Sequence, residues 1–144
     1  MTRPRVMSDA RQQSWFGRTI LVGVLYAAVG VVFALPTNQA RVWRLATWLV
    51  SGCVYAAHIW YERFRLRNSH GLTAMRVGVA AVVGGFGLAV AAVVHSLFVP
   101  PNYERSRFVL ALLVWPVVTG APAFLVALAA TALTALLTKR RLAE

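Results

Sequence analysis

Four long apolar blocks constrain the fold of this 144-residue chain more than any other feature. They cover residues 15–35, 42–61, 72–99 and 108–138, and charged or proline-bearing segments separate them. A helix of about 20 residues, rising about 1.5 Å per residue, crosses a hydrocarbon core about 30 Å thick. Each block is long enough for one crossing. We therefore predict an all-α membrane protein, a four-transmembrane-helix bundle that forms a single integral membrane domain over residues 1–144.

The composition agrees with a membrane location and leaves little chain outside the blocks. Hydrophobic residues make up 59% of the sequence and charged residues 13%, whereas a water-soluble domain carries about 25% charged residues. The basic segment before the first block is expected to be a loosely ordered arm. That block starts like a signal peptide, but the sequence from Phe33 to Pro36 is a poor cleavage site, so we expect an uncleaved helix.

The distribution of basic residues predicts the orientation in the membrane. The formal net charge of +11 would suggest nucleic-acid binding in a soluble protein, but here the basic residues flank the apolar blocks. Of the 15 lysines and arginines, about eleven fall on the side of both termini and about four on the other. The positive-inside rule then predicts a multi-pass inner (plasma) membrane protein with N- and C-termini in the cytoplasm. We expect contact with anionic lipid headgroups and no nucleic-acid partner.

The second block carries a polar and aromatic stripe on one helical face. The stripe consists of Arg44, Trp48, Ser51, Tyr55, His58, Glu62 and Arg65. Alternating spacings of four and three residues place its members in line along a helix. Polar atoms in hydrocarbon would lack hydrogen-bond partners, so the stripe should face protein or a water-filled cavity. The candidate polar membrane face is Ser51, Tyr55, His58, Glu62 and Arg65.

Within this face, His58 and Glu62 lie one turn apart near the inner interface. A functional interpretation is a proton relay, a cation site or a quinone contact. A structural interpretation pairs Glu62 with Arg65 or Arg67, or with water, and bonds His58 to a neighbouring helix. We expect the structural outcome, with Tyr55 and Arg65 as the local groups that satisfy the pair, and with both side chains pointing into protein.

The fourth block contains a second candidate site where prolines interrupt a long apolar segment. Pro116, Thr119, Gly120 and Pro122 are the helix-break candidates, and we predict that the fourth helix is kinked at Pro116 and Pro122. Broken membrane helices expose carbonyls that bind ions or substrates. Prolines also produce ordinary kinks in transmembrane helices, and the sequence leaves both interpretations open.

Small residues on the first and third helices predict close helix packing. The candidates are Gly23, Ala27, Gly30, Gly78, Ala81 and Gly85. We expect the second helix to set Trp48 and Tyr55 against these small faces. The glycine spacing and the loop composition repeat weakly between the two halves of the chain, which a hairpin duplication or chance would both produce.

Chemical motifs are missing from the sequence, and this shapes the expected function. There is no nucleophile elbow, zinc-protease helix, phosphate-binding loop or paired-carboxylate pattern. Cys53 is the single cysteine, and we expect it to be a small packing residue. His58 and His95 fall near opposite edges of the core, too far apart to ligate one haem or metal within a chain. We expect no metal and no cofactor.

The expected function is therefore that of a small polytopic inner-membrane protein without enzymatic activity. It would act as an accessory or structural subunit, or as a homo-oligomer, with itself or other membrane subunits as partners. The alternative is a small oligomeric transporter or channel lined by the Ser51, Tyr55, His58 and Glu62 face. A weaker alternative is a quinone- or haem-associated redox subunit.

Overall fold

The computed structural model describes residues 5–34, 40–98 and 105–141. Within these ranges every secondary-structure element is a helix and no strand is present, as the apolar blocks predict. A short π-helical segment, Tyr61–Arg65, continues the second helix. The four long helices are α1 (Arg5–Ala34), α2 (Ala40–Trp60), α3 (His70–Phe98) and α4 (Arg105–Arg141).

Helix α4 extends three residues beyond each end of its apolar block, and the starts of α1 and α3 are two further places where the helices differ from the sequence-based expectation. Residues 5–14 belong to α1, so the expected loosely ordered arm is wrong for that stretch; its alanine, glutamines and arginine are good helix formers. At the other place, α3 begins at His70, two residues earlier than expected. Ser69 explains this start, because its Oγ accepts a hydrogen bond from the N–H of Leu72 at 3.4 Å.

Three of the four helices are long and apolar enough to cross a membrane. The candidate spans are Trp15–Phe33, His70–Phe98 and Val109–Thr138. Helix α2 is not among them, because Arg44 and the polar members of its stripe lower its hydropathy. The molecule is thus a helical protein with three candidate membrane spans.

Helix α3 lies between α1 and α4, and its contact with α1 depends on glycines. A Cβ built on Gly23 would lie 2.6 Å from Cβ of Val83 and 2.9 Å from the carbonyl oxygen of Ala80. On the other side of this contact, a Cβ on Gly84 would lie 2.7 Å from Cβ of Tyr26. Real Cβ atoms do not approach so closely. The two backbones therefore meet at a distance that only glycine allows here.

The opposite side of α3 packs against α4 in the same manner. A Cβ on Gly78 would lie 3.1 Å from Cβ of Phe124, and one on Gly85 would lie 3.1 Å from the carbonyl oxygen of Trp115. In the reverse direction, Gly120 of α4 leaves room for the side chain of Val82. Helix α3 is consequently the central element, with one small-residue side turned to each neighbour.

The occupants of these small faces correct one sequence-based expectation. Trp48 does not fill them, because 78% of its surface is exposed on the outside of α2. Tyr55 packs against a buried cluster of Ala74, Val77 and Ala127, on the parts of α3 and α4 next to the glycine contacts. The glycines of these faces are covered instead by the backbone and by side chains of the directly adjoining helix, such as Val83 and Phe124, so no gap is left for an indole.

Candidate functional site

The polar stripe of α2 ends in the π-helical segment Tyr61–Arg65. The N–H of Leu66 donates to the carbonyl of Tyr61 at 3.1 Å, and the N–H of Asn68 donates to the carbonyl of Glu62 at 3.3 Å. These bonds span five and six residues, so the turn is wider than an α-helical turn. Such turns are rare in proteins overall, and those that occur often lie at functional sites.

Glu62 is the centre of a buried polar cluster in this turn. Only 4% of its surface is exposed. Its Oε2 accepts hydrogen bonds from Nδ2 of Asn68 at 2.5 Å and from Nη1 of Arg76 at 3.0 Å, and the second contact is an ion pair with α3. Burying a carboxylate is costly unless it is paired and hydrogen-bonded. Both conditions are met, so Glu62 is a fixed link between α2 and α3.

Arg76 extends this cluster to α1. Its guanidinium carbon lies 5.5 Å from the centroid of the Trp15 ring, in a cation–π contact. In the adjoining loop, Nη1 of Arg63 donates to the carbonyl of Asn68 at 2.8 Å, and Nη2 lies 3.5 Å from Nε2 of His70. Three helices and the loop between α2 and α3 are thus tied together at one end of the bundle.

The expected partners of Glu62 were wrong. Arg65 is exposed and does not pair with Glu62, and the hydroxyl of Tyr55 donates to the carbonyl of Ala123 in α4. In an α-helix, residues three apart share a face, but the wider π turn advances fewer degrees per residue and carries Arg65 away. The carboxylate is satisfied from α3 and the loop instead.

The rest of the candidate polar face is turned toward protein. His58 is buried, with 8% of its surface exposed, and Ser51 and Tyr55 are partly buried. The inward orientation expected for His58 and Glu62 is therefore what the structure has. Nδ1 of His58 and the hydroxyl of Thr73 are buried without a hydrogen-bond partner among the described residues.

The proline segment of α4 is the second candidate site. Helix α4 is continuous from Arg105 to Arg141, with Pro116 and Pro122 inside it; a kink at these prolines stays a prediction. The hydroxyl of Thr119 donates to a carbonyl of its own helix at 2.8 Å and lies 3.3 Å from the carbonyl of Ala81 in α3. Thr119 and the buried Gly120 thus belong to the contact between α3 and α4.

Metal-binding side chains do not cluster in the part of the chain that the structure describes. No group of three or more His, Cys, Asp or Glu residues could hold a metal ion there. Cys53, expected to be a packing residue, is instead exposed on the outer side of α2. Chemically, the cluster around Glu62 holds the carboxylate of Glu62 and the guanidinium of Arg76 at fixed positions.

Sequence reasoning missed two residues of this cluster, Arg76 and Asn68. A signal for Arg76 was present, because a lone arginine near the start of an apolar helix needs an anionic partner. Glu62 is the acid closest to the membrane blocks in the sequence. Asn68 gave no comparable signal, since a turn asparagine is common without any side-chain role.

The fold and the cluster define a helical protein with three candidate membrane spans and a buried ion pair linking two helices. Comparison with known protein families, characterised proteins and solved structures finds no match to this chain. The function therefore has to follow from the residues of the chain itself.

Proposed function

We propose that the chain crosses the membrane four times and that α2 is the fourth span. The support is the outer face of α2, where every exposed residue between positions 45 and 60 is apolar, aromatic or small. These residues are Leu45, Trp48, Leu49, Gly52, Cys53, Ala56, Ala57 and Trp60. Of the residues that lower the hydropathy of α2, Ser51, Tyr55 and His58 point into the protein, and the exposed Arg44 lies near the start of the helix. Its lipid-facing surface, roughly 24 Å long at 1.5 Å per residue, is as lipid-compatible as those of the other helices.

The orientation that we propose has both termini in the cytoplasm of an inner (plasma) membrane protein. The uneven split of lysine and arginine supports it. Reporter fusions after Glu144 and after Asn68 should both report the cytoplasm, and a fusion after Asn38 is the control that should report the opposite side. A reversed signal at either of the first two positions would show that the orientation is wrong.

For the function, we propose a small non-enzymatic membrane protein that acts by assembly, as a structural or accessory subunit or as a homo-oligomer. The observation that carries this proposal is the use of the polar face within the bundle. Glu62 is neutralised by Arg76, and the hydroxyl of Tyr55 is bonded to α4. These groups stabilise the fold, which leaves apolar helix surfaces and basic ends as the means of contacting a partner.

Assembly can be tested by extracting the protein from its membrane in native nanodiscs without detergent. Two copies with different tags are expressed together, and the particles are purified on one tag and weighed by mass photometry. We expect the purified particles to carry the second tag as well, or to contain an additional membrane subunit in fixed stoichiometry. Particles that hold a single copy and nothing else would refute assembly.

Transport is the second candidate function, and one observation favours it. Nδ1 of His58 and the hydroxyl of Thr73 are buried polar atoms without partners among the described residues, close in sequence to the Glu62–Arg76 pair. Such atoms are normally satisfied by water, and a hydrated cluster would suit proton movement. In liposomes, a proton-coupled flux lost in a Glu62→Gln variant that still reconstitutes in folded form, and kept in Arg65→Gln, would favour transport over a structural role.

A further inference from the structure

A cleft opens between the end of α2 and the last turns of α4. Its volume is about 620 Å³, within the range of roughly 300–1,000 Å³ typical of small-molecule sites. We call it the basic cleft; its lining residues are Arg63, Phe64, Arg67, Thr134, Ala135 and Thr138. Glu62 does not line the cleft, but Arg63 connects the cleft to Asn68, which belongs to the cluster around Glu62.

The charge of the basic cleft comes from two arginines, and no acidic residue lines it in the part of the chain that the structure describes. Glu62 is next to Arg63 in sequence, but its Oε2 is bonded to Asn68 and Arg76. It therefore does not act as the counter-ion of the cleft. Two arginines lining one concave space attract an anion, and phosphate suits the planar arrangement of guanidinium donors.

The loop fixes the side chain of Arg63 and the backbone of Arg67. Arg63 is partly buried, and its guanidinium is anchored by the carbonyl of Asn68 at 2.8 Å. Arg67 has a φ angle of 52°, and it is the non-glycine residue with positive φ among the described residues. This left-handed conformation is unfavourable for arginine. The loop therefore positions the Arg67 side chain at the cost of local strain.

The remaining walls distinguish a lipid from a free anion. Phe64 is exposed, and Ala135 adds a second apolar surface. The hydroxyls of Thr134 and Thr138 donate to carbonyls of their own helix at 2.8 and 2.9 Å, which leaves Arg67 and the N–H groups of Arg63 that are not bonded to Asn68 as the donors for a ligand. Apolar walls beside two cations suit a ligand with a phosphate and an attached hydrocarbon part.

We propose that the basic cleft binds the phosphate of an anionic phospholipid at the membrane surface. Arg63 and Arg67 hold the phosphate, and Phe64 contacts the start of an acyl chain. The site lies at the end of α2 where basic residues are concentrated, which by the charge distribution is the cytoplasmic leaflet. Only this choice of leaflet rests on the proposed orientation; the binding itself does not.

Native mass spectrometry of the purified protein in a neutral detergent tests this site. The protein is titrated with phosphatidylglycerol, with phosphatidylcholine and with inorganic phosphate. We expect phosphatidylglycerol to bind more tightly than phosphatidylcholine, and inorganic phosphate to displace it only weakly. Arg67→Asn should lower the phosphatidylglycerol affinity roughly fivefold. Asparagine tolerates positive φ, so this variant keeps the loop conformation.

Arg65→Gln is the matched control, because it removes the same charge from the same turn at an exposed position outside the cleft. It should leave the affinity unchanged, whereas Arg63→Gln should lower it as Arg67→Asn does. An equal loss in all three variants would refute the site in favour of diffuse surface charge. Equal binding of the two lipids would also refute it, and strong displacement by inorganic phosphate would assign the cleft to a soluble anion. The orientation reporters decide the leaflet independently.

Discussion

Replacing Gly23 by alanine tests the close contact between α1 and α3. The added Cβ would lie 2.6 Å from Cβ of Val83 and 2.9 Å from the carbonyl oxygen of Ala80. Neither atom can move alone, because one is fixed to the backbone and the other belongs to it. Reaching an ordinary contact of about 3.5 Å requires the helices to separate by about 1 Å, and a gap of this size loses a quarter to a half of the local dispersion energy.

Two opposing effects set the change in the free energy of unfolding. Overpacking costs roughly 1–3 kcal/mol, and replacing glycine by alanine inside a helix gains up to about 1 kcal/mol in backbone propensity. Gly52→Ala is the matched control, because nothing lies within 4 Å of a Cβ at that position. Both variants gain the same propensity. The difference between them isolates overpacking, so Gly23→Ala should be less stable than Gly52→Ala by roughly 1–3 kcal/mol.

The assay is reversible unfolding in mixed micelles with increasing mole fraction of dodecyl sulfate, followed by tryptophan fluorescence. The midpoint should shift to lower dodecyl sulfate for Gly23→Ala relative to Gly52→Ala. Coincident midpoints would refute the reasoning, because they would mean that α1 and α3 do not meet at Gly23. A larger residue, as in Gly23→Leu against Gly52→Leu, should widen the difference.

Two further predictions concern the polar contacts of α2. Glu62→Gln and Arg76→Gln should each destabilise the bundle by roughly 3 kcal/mol, because each leaves a buried charge unpaired. The double variant should lose clearly less stability than the sum of the two single losses. Additive losses in the same unfolding assay would argue against a direct pair. Tyr55→Phe should lower the free energy of unfolding by about 0.6–1.7 kcal/mol, since it removes one interhelical hydrogen bond. The exposed Tyr61→Phe serves as its control, and equal effects of these two variants would contradict the bond from Tyr55 to Ala123.

The sequence predicts the helices well because long apolar blocks have few alternatives. It also predicts which face of α2 is buried, since the spacing of Ser51, Tyr55, His58 and Glu62 is a property of one helix and can be derived without knowing its neighbours. The end of that face is less predictable. A π turn depends on local hydrogen bonding after residue 60, and helical spacing alone gives the wrong position for Arg65.

Contacts between helices were predicted less successfully, for a related reason. Small residues indicate that a helix can be approached closely, but they do not identify which helix approaches. Trp48 was expected to fill the small faces because it is large and lies on the polar stripe, yet it is exposed. Similarly, Arg76 is 14 positions from Glu62, a separation that no periodicity within a single helix can connect.

The glycine contacts of α3 also limit how this sequence can diverge. In each contact, a glycine on one helix faces a larger side chain on another. The pairs are Gly30 with Leu88, Gly78 with Phe124, and Gly120 with Val82. Because the two residues of a pair share the same space, a larger residue at one position is compatible with the fold only when its opposite becomes smaller. In homologous sequences, residue volumes at positions 30 and 88 should therefore vary in opposite directions. The exposed positions 45 and 49 of α2 should vary independently of each other.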